Sequence, residues 1–382
     1  MSHLDTIGAA KLPITLHSGE GALLWDTGGR TYWDFYGGHA VTLLGQGHPT
    51  WVAAIERQAR QLSFFTQLAD VPVRTRAAAS VCAFTKMDNC WFINSGAEAN
   101  EAALKMARKQ TGRPVIVAME RGFHGRTMGA LGVTWKYRDQ HAPVYGETRF
   151  VPFGDLDALR EALTDDVAAV IMEPKQGISG IIEPPEGYLS AAVELAHANG
   201  SLFIADEIQS GMGRTGLPLE SHREGLAADI VTVGKGLGAG FPVAAVLMTD
   251  AVASHVGAGE HGTTFGGGPL ACAAVEATLQ VIEAEDLLTK ATKLGETMIS
   301  ALGAVDGVTG VRGAGAWIGL ELDRPARGVV DGLRERGFLC GTAGDPNVIR
   351  LAPPAVMPTY AVFLLAEALK DVLSAQPELA PA

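Results

Sequence analysis

Cysteine is scarce in this chain of 382 residues: Cys82, Cys90, Cys272 and Cys340 are the whole set. Their spacing matches no zinc or redox motif, and a chain this long needs no disulfide staples. They read as buried free thiols in a reducing cytoplasm. Aromatics are few, at 7%, and charge is modest and one-sided, with 42 acidic against 30 basic side chains. The net charge of -12 argues against a general nucleic-acid surface and is read as solubility. No apolar run approaches the roughly 18 residues of a membrane span, so no membrane partner is expected. Between Met1 and Leu16 no basic stretch precedes a greasy core, so no secretory leader is expected. The 10 histidines are scattered, without HExxH or a His/Cys cluster, so no metal site is expected.

Glycine, by contrast, is abundant: 47 residues, about 12% by division against a usual figure near 7%. These glycines follow no collagen period and suggest tight turns and close backbone approach to a ligand. Short apolar runs read as strands at Cys90–Asn94, Pro114–Met119, Val167–Glu173, Ser201–Asp206, Asp229–Val233 and Val243–Met248. Several are apolar throughout rather than alternating, as in a parallel sheet covered on both faces. Helical patterns lie between them, for example Gly96–Gln110 and Gly187–Ala198. The expected fold class is α/β, with a large, mostly parallel sheet domain bearing helices on both faces. That domain is expected over 48–270. The stretch 271–382 reads as a smaller α+β domain, with helices around Leu270–Ala284, Asp286–Leu302 and Tyr360–Leu373 and strands at Ala316–Leu322 and Val348–Leu351. The segment 1–47 holds a hairpin-like stretch, Ala22–Tyr36, turning at Thr27-Gly28-Gly29, and is expected to pack on the C-terminal part.

Three constellations stand at strand ends. In Asn94-Ser95-Gly96-Ala97-Glu98, Ser95 and Glu98 form an S-x-x-E capping box at the start of a helix. Free N–H groups and the helix dipole there favour a phosphate, and an ordinary capped helix is the alternative. In Ser201–Gln209 an apolar strand ends in Asp206-Glu207, where ligands of open α/β sheets sit. An acid there serves as a metal ligand, a base or a partner for a cationic ring nitrogen; a solvated pair is the alternative. In Asp229–Pro242, Lys235 follows an apolar strand among glycines. A desolvated lysine can lose its proton and attack a carbonyl, and lysine is seldom placed at a strand mouth for packing alone. A fourth motif, Gly211-Met212-Gly213-Arg214-Thr215-Gly216, fits the G-x-G-x-x-G dinucleotide fingerprint. It lacks the context: Glu207–Ser210 separate it from the strand, and Pro218 follows where a helix should run.

The stretches NSGAEANEAALKMAR, FHGRTMGAL, DEIQSGMGRTG, VGKGLGAGFP and HGTTFGGGPLA, in this order, resemble the class III aminotransferases, pyridoxal-phosphate enzymes of fold type I. The acetylornithine and ornithine types are the nearest by motif, and the resemblance runs from about Gly37 to Pro354. It implies that Lys235 binds the cofactor aldehyde and that Asp206 pairs with its ring nitrogen. It implies that Ile208 and Phe123 cover the two ring faces, with His124 beside Phe123, and that Gln209 bonds the ring 3′ oxygen. Ser95, Gly96 and Ala97 match phosphate-binding positions. Thr264 matches a residue reaching the phosphate from a neighbouring subunit, which implies a homodimer with shared active sites. Arg126, Arg350, Thr263 and Glu173 fall at substrate-contacting positions. Two arginine forks at opposite ends of a pocket suit a five-carbon dicarboxylate such as 2-oxoglutarate. The implied reaction is ping-pong transamination between an amino donor, N-acetylornithine or a related amine, and a keto acid, 2-oxoglutarate or pyruvate.

The chain departs from the family stretch EPxQGE, reading Glu173-Pro174-Lys175-Gln176-Gly177-Ile178. Ile178 stands where a glutamate is thought to mask the second arginine while an ω-amino substrate binds. Isoleucine cannot mask Arg350; alternatively it enlarges or greases the pocket for another donor. Gly268 replaces an asparagine and Gly234 an alanine, both minor changes. Rival readings are an aminomutase of the same fold, a nicotinamide dehydrogenase resting on the glycine motif, and a binding protein without catalysis.

Overall fold

The computed structural model describes residues 11–375. The first ten residues of the Met1–Leu16 stretch, and 376–382, lie outside them. The N-terminal hairpin forms where the turn signal placed it. Strands β1 (Leu16–Glu20), β2 (Leu23–Asp26) and β3 (Thr31–Asp34) run antiparallel. Asp26 Oδ1 accepts from the amides of Gly28 and Arg30 at 2.9 Å each, and Gly29 takes φ +79 in the turn. A short strand from far along the chain, Phe338–Leu339, pairs parallel with β3.

Seven strands make the central sheet: β4 (Asn89–Ile93), β5 (Val115–Met119), β6 (Glu147–Val151), β7 (Val167–Met172), β8 (Leu202–Asp206), β9 (Ile230–Val233) and β10 (Ala244–Met248), in the order β4-β10-β9-β8-β7-β5-β6. Six were expected, with ends within a residue or so. β6 was not, because Glu147-Thr148-Arg149-Phe150-Val151 is an edge strand whose exposed positions carry charge. Alternate residues of β5 enter two different apolar cores, Val115, Val117 and Met119 in one, Ile116 and Ala118 in the other. This is the burial on both faces that an all-apolar run implies. The helix Gly96–Thr111 covers one face with Ala99, Ala102, Ala103, Met106 and Ala107; the helix Tyr188–Ala198 covers the other.

The strands from β5 to β9 pair parallel in sheet order. β10 runs antiparallel to both β9 and β4, so β4 points the same way as β9. The carboxyl ends of β4, β5, β7, β8 and β9 therefore share one edge with the amino end of β10. That edge collects every constellation read from the sequence.

The C-terminal part holds a sheet of β11 (Val308–Ala314), β12 (Trp317–Leu322), β14 (Gly341–Thr342) and β15 (Val348–Leu351), with Phe338–Leu339 as β13 in the N-terminal sheet. Helices Leu287–Gly303, Ala326–Glu335 and Thr359–Ala375 cover it. The Ala326–Glu335 helix and β11 were not read from the sequence. Both carry charged or glycine-rich exposed faces that dilute the apolar signal.

The G-x-G-x-x-G stretch is a tight loop, not a strand-to-helix turn. Met212 and Gly213 amides donate to Pro218 and Leu217 carbonyls at 2.7 and 3.1 Å. Arg214 is buried and donates to the carbonyls of Ala316, Pro353 and Ala40, which ties the loop to the C-terminal part. The dehydrogenase reading is thereby lost. All four thiols are free, but only Cys272 and Cys340 are buried; Cys82 and Cys90 are half-buried. Among the described residues no helix is long and apolar enough to cross a membrane.

Candidate active site

The shared strand edge encloses a cavity of about 450 Å³. Ser95, Gly96 and Ala97 line it from the end of β4, and Phe123, His124 and Arg126 from the loop after β5. Glu173 follows β7, Asp206, Ile208 and Gln209 end β8, and Lys235 follows β9. Of the residues given cofactor or substrate roles in the sequence, Thr263, Thr264 and Arg350 lie off its walls. A roomier surface groove of about 960 Å³, bordered by Arg57, Arg76 and Glu276, holds none of these groups.

At one end is the predicted capping box. Glu98 N donates to Ser95 Oγ at 3.3 Å, while Glu98 Oε2 accepts from the Asn94 and Ser95 amides at 2.9 and 3.1 Å. The amides of Gly96 and Ala97 stand in the first turn, where no intrahelical acceptor exists. Their N–H groups and the positive end of a helix four turns long face the cavity as an anion cradle. Gly96 is required: a Cβ there would come within 2.8 Å of Ile208 Cγ2.

At the other end Asp206 is buried in a satisfied network. Its Oδ2 accepts from His124 Nδ1 at 2.7 Å and from Asn100 Nδ2 at 2.8 Å, and its Oδ1 from the Ile208 amide at 3.1 Å. Since the carboxylate only accepts, the imidazole proton sits on Nδ1. Asn100 also donates to the His124 carbonyl at 2.7 Å and accepts from Thr232 Oγ1 at 2.8 Å. The His124 amide in turn donates to Thr134 Oγ1 at 2.9 Å. Three donors fix this carboxylate on the cavity wall, where a cationic ring nitrogen would need it.

Lys235 takes φ +43, a left-handed conformation that lysine rarely adopts, at the start of a one-turn 3-10 helix, Lys235–Leu237. Burial lowers its amine from 10.5 to about 8, against the opposing pull of Asp206 and Glu173. A neutral, nucleophilic amine is therefore accessible near neutral pH. Glu173 accepts from the amides of Phe123 and Gly177 at 2.9 Å each, and burial raises its carboxyl from 4.5 to about 7. Gly234 leaves room for the alanine found elsewhere: a Cβ would sit 3.3 Å from Ile208 Cδ1 and 3.5 Å from Ala244 Cβ.

The two arginines differ. Arg126 is exposed on the cavity rim, its guanidinium 4.1 Å from the Tyr137 ring centre. Arg350 is buried on β15 behind the cavity. Its Nε donates to the Thr342 carbonyl at 2.9 Å, and its Nη1 lies 3.4 Å from both the Gly177 carbonyl and Gln209 Oε1. Gln209 thus borders both the cavity and the small space around Arg350, Tyr36 and His39. Thr263 accepts from Asn94 Nδ2 at 2.9 Å, while Thr264 is exposed on the same loop. These residues fit pyridoxal 5′-phosphate: an anion cradle, a fixed carboxylate and a low-pKa lysine share one cavity.

Asn100 and Thr232 carry no role in the sequence reading, yet Asn100 holds Asp206 and Thr232 holds Asn100. The available signal was a polar residue on an otherwise apolar face, Asn100 among Ala99, Ala103 and Ala107, and Thr232 in the apolar strand Ile230–Val233.

The family model described as aminotransferase class-III matches residues 6–373. The acetylornithine aminotransferase of Methanothermobacter thermautotrophicus is 42% identical over 369 residues, 95% of this chain and 94% of the relative. A crystal structure of acetylornithine aminotransferase from Elizabethkingia anophelis superposes with a TM-score of 0.86 at 32% identity, covering 98% of this chain and 96% of that one. An ornithine aminotransferase structure from Toxoplasma gondii, described as showing partial occupancy of PLP at its active site, has a TM-score of 0.92 at 31% identity, covering 98% and 92%.

Proposed function

The chain belongs to the class III aminotransferases, pyridoxal-phosphate enzymes that exchange an amino group between an amine and a keto acid, and from that premise we propose roles for its own residues. Pyridoxal 5′-phosphate supplies an aldehyde and an electron-withdrawing ring. The Ser95 hydroxyl and the Gly96 and Ala97 amides would hold its phosphate. Phe123 and Ile208 would cover the two faces of the ring, Asp206, held by His124 and Asn100, would pair with its nitrogen, and Gln209 would bond its 3′ oxygen. Lys235 would hold the cofactor through its Nζ and, once freed by the amino donor, would serve as the general base for the Cα proton. The observation that carries this reading is the depressed Lys235 amine in one cavity with a hydrogen-bonded Asp206.

The donor we propose is N-acetylornithine or a related amine, supported by the names of the relatives and qualified by Ile178. Among the described residues no carboxylate pairs with Arg350, so its guanidinium stands ready for a substrate carboxylate. With Arg126 and Glu173 on the cavity wall and Thr263 beside Asn94, this supports 2-oxoglutarate, with pyruvate as the lesser acceptor. A panel of amino donors with each keto acid, followed by absorbance, tests the assignment. Turnover of N-acetylornithine with 2-oxoglutarate is expected, and its absence while another donor reacts would replace the donor.

The same reading proposes a cytoplasmic homodimer. Phe64, Phe65, Leu68 and Phe265 are exposed large apolar side chains, and Phe64 and Phe265 pack at 5.4 Å beside the loop bearing Thr264. A second copy is the proposed cover, with Thr264 reaching the partner's phosphate cradle. Sedimentation tests it: a dimer is expected, and a monomer with full activity would refute it. The division into 1–47, 48–270 and 271–382 is proposed on the same footing.

A further inference from the structure

Tyr137 was absent from the sequence reading and lies off the cavity wall, yet three groups of the site converge on it. The Arg126 guanidinium sits over its ring face, 4.1 Å from the centre. The edge of Phe123 meets it at 6.5 Å with the ring planes at 90°. Its phenol lies within electrostatic reach of Arg350, where it opposes the lowering of that guanidinium by burial. The backbone of Tyr137 takes φ +75, ψ -14, left-handed for a half-buried aromatic residue. Such conformations persist only where the surroundings hold them, and they cluster at functional sites. Among the described residues Arg126 has no ion pair or hydrogen bond; the Tyr137 ring is its partner. A long, exposed arginine otherwise samples many rotamers, and each must be given up when a carboxylate binds.

We propose that Tyr137 is a positioning residue for carboxylate recognition: its ring face holds the Arg126 fork at the cavity rim before substrate arrives, so that dicarboxylate acceptors meet a preformed site. The inference rests on the reading of Arg126 as a carboxylate-binding residue. Tyr137 touches no reacting atom; it acts through Arg126.

The test uses the holoenzyme and the variants Tyr137→Leu, Tyr137→Phe and Arg126→Ala, with Tyr137→Gln as a second variant lacking a ring should the leucine variant not fold. Glutarate, an unreactive five-carbon dicarboxylate, is titrated calorimetrically, and KM and kcat are measured with 2-oxoglutarate. Tyr137→Leu should weaken glutarate binding and raise KM by about two- to thirty-fold, the range of a cation–π contact from exposed to desolvated, with kcat little changed. Tyr137→Phe keeps the ring face and should restore binding to within about two-fold of the parent. In the Arg126→Ala background, removing the ring should cost nothing further. An equal loss with and without Arg126, or a loss of kcat with KM unchanged, would overturn the proposal. If Arg126→Ala itself leaves glutarate binding intact, the carboxylate reading of Arg126 fails and takes this inference with it. If Arg126→Ala weakens binding and Tyr137→Leu does not, this inference alone fails.

Discussion

Replacing Glu173 by glutamine should remove a defined part of the pH dependence of stability. The Glu173 carboxyl is buried, accepts two backbone amides and has Asp206 nearby, and burial is the largest of the causes that raise it to about 7 from an ordinary 4.5. Its folded pKa thus lies above its unfolded one. Between those values the folded chain holds a proton that the unfolded chain has released. The stability this contributes is complete below 4.5 and is lost as pH rises through about 7. At about 1.4 kcal/mol per pH unit, the gap amounts to roughly 3 kcal/mol. Glutamine cannot titrate, so Glu173→Gln loses this slope. Its amide also turns an N–H toward one of the two backbone donors, a pH-independent cost of about 1–3 kcal/mol. The assay is urea unfolding of the cofactor-free protein and the variant between about pH 5 and pH 8. The parent's advantage over the variant should shrink by about 2–3 kcal/mol across that range, all other groups cancelling in the difference. Parallel stability curves would show that Glu173 titrates normally and would refute the reasoning.

Other perturbations follow from the same site. Asp206→Asn sets an amide against the His124 and Asn100 donors and removes the charge facing the ring nitrogen; cofactor binding should stay measurable while the half-reaction with donor slows by roughly a hundred-fold or more. An unchanged half-reaction rate would contradict the role given to Asp206. Asn100→Ala removes one of the two donors on Asp206 Oδ2 and takes the side-chain partner from the His124 carbonyl and the Thr232 hydroxyl, and should lower unfolding stability by about 1–3 kcal/mol, read by urea melts. Ile178→Glu should move donor preference toward ω-amino substrates if an unmasked Arg350 sets the present one, and an unaltered donor ranking would exclude that cause.

The sequence is most informative where burial is two-sided. The runs Val115–Met119, Val167–Met172 and Leu202–Asp206 are apolar because both faces of the sheet are covered, and the carboxyl end of the last announced Asp206, whereas Glu173 came only from the family resemblance. It is least informative at edges, where β6 mixes Glu147 and Arg149 with Phe150 and Val151. The direction of β10 could not be read either, since an apolar run is the same in both senses; its antiparallel pairing is what brings β4 and the helix N-terminus after it to the common edge. Lys235 was legible from its glycines, but its φ of +43 was not. His124 was seen as a neighbour of Phe123, whereas its bond to Asp206 spans 82 residues of sequence and forms where the loop after β5 meets the end of β8. Asn100, Thr232 and Tyr137 were missed for the same reason: each acts through a partner that only the tertiary fold brings near.

The central claim is that one lysine carries the cofactor. Borohydride treatment of the purified, yellow holoenzyme followed by peptide mass mapping tests it directly. The pyridoxyl group should be found on Lys235 and be lost, with the visible absorbance and turnover, in Lys235→Ala. A label on any other lysine, or full activity in Lys235→Ala, would contradict the account.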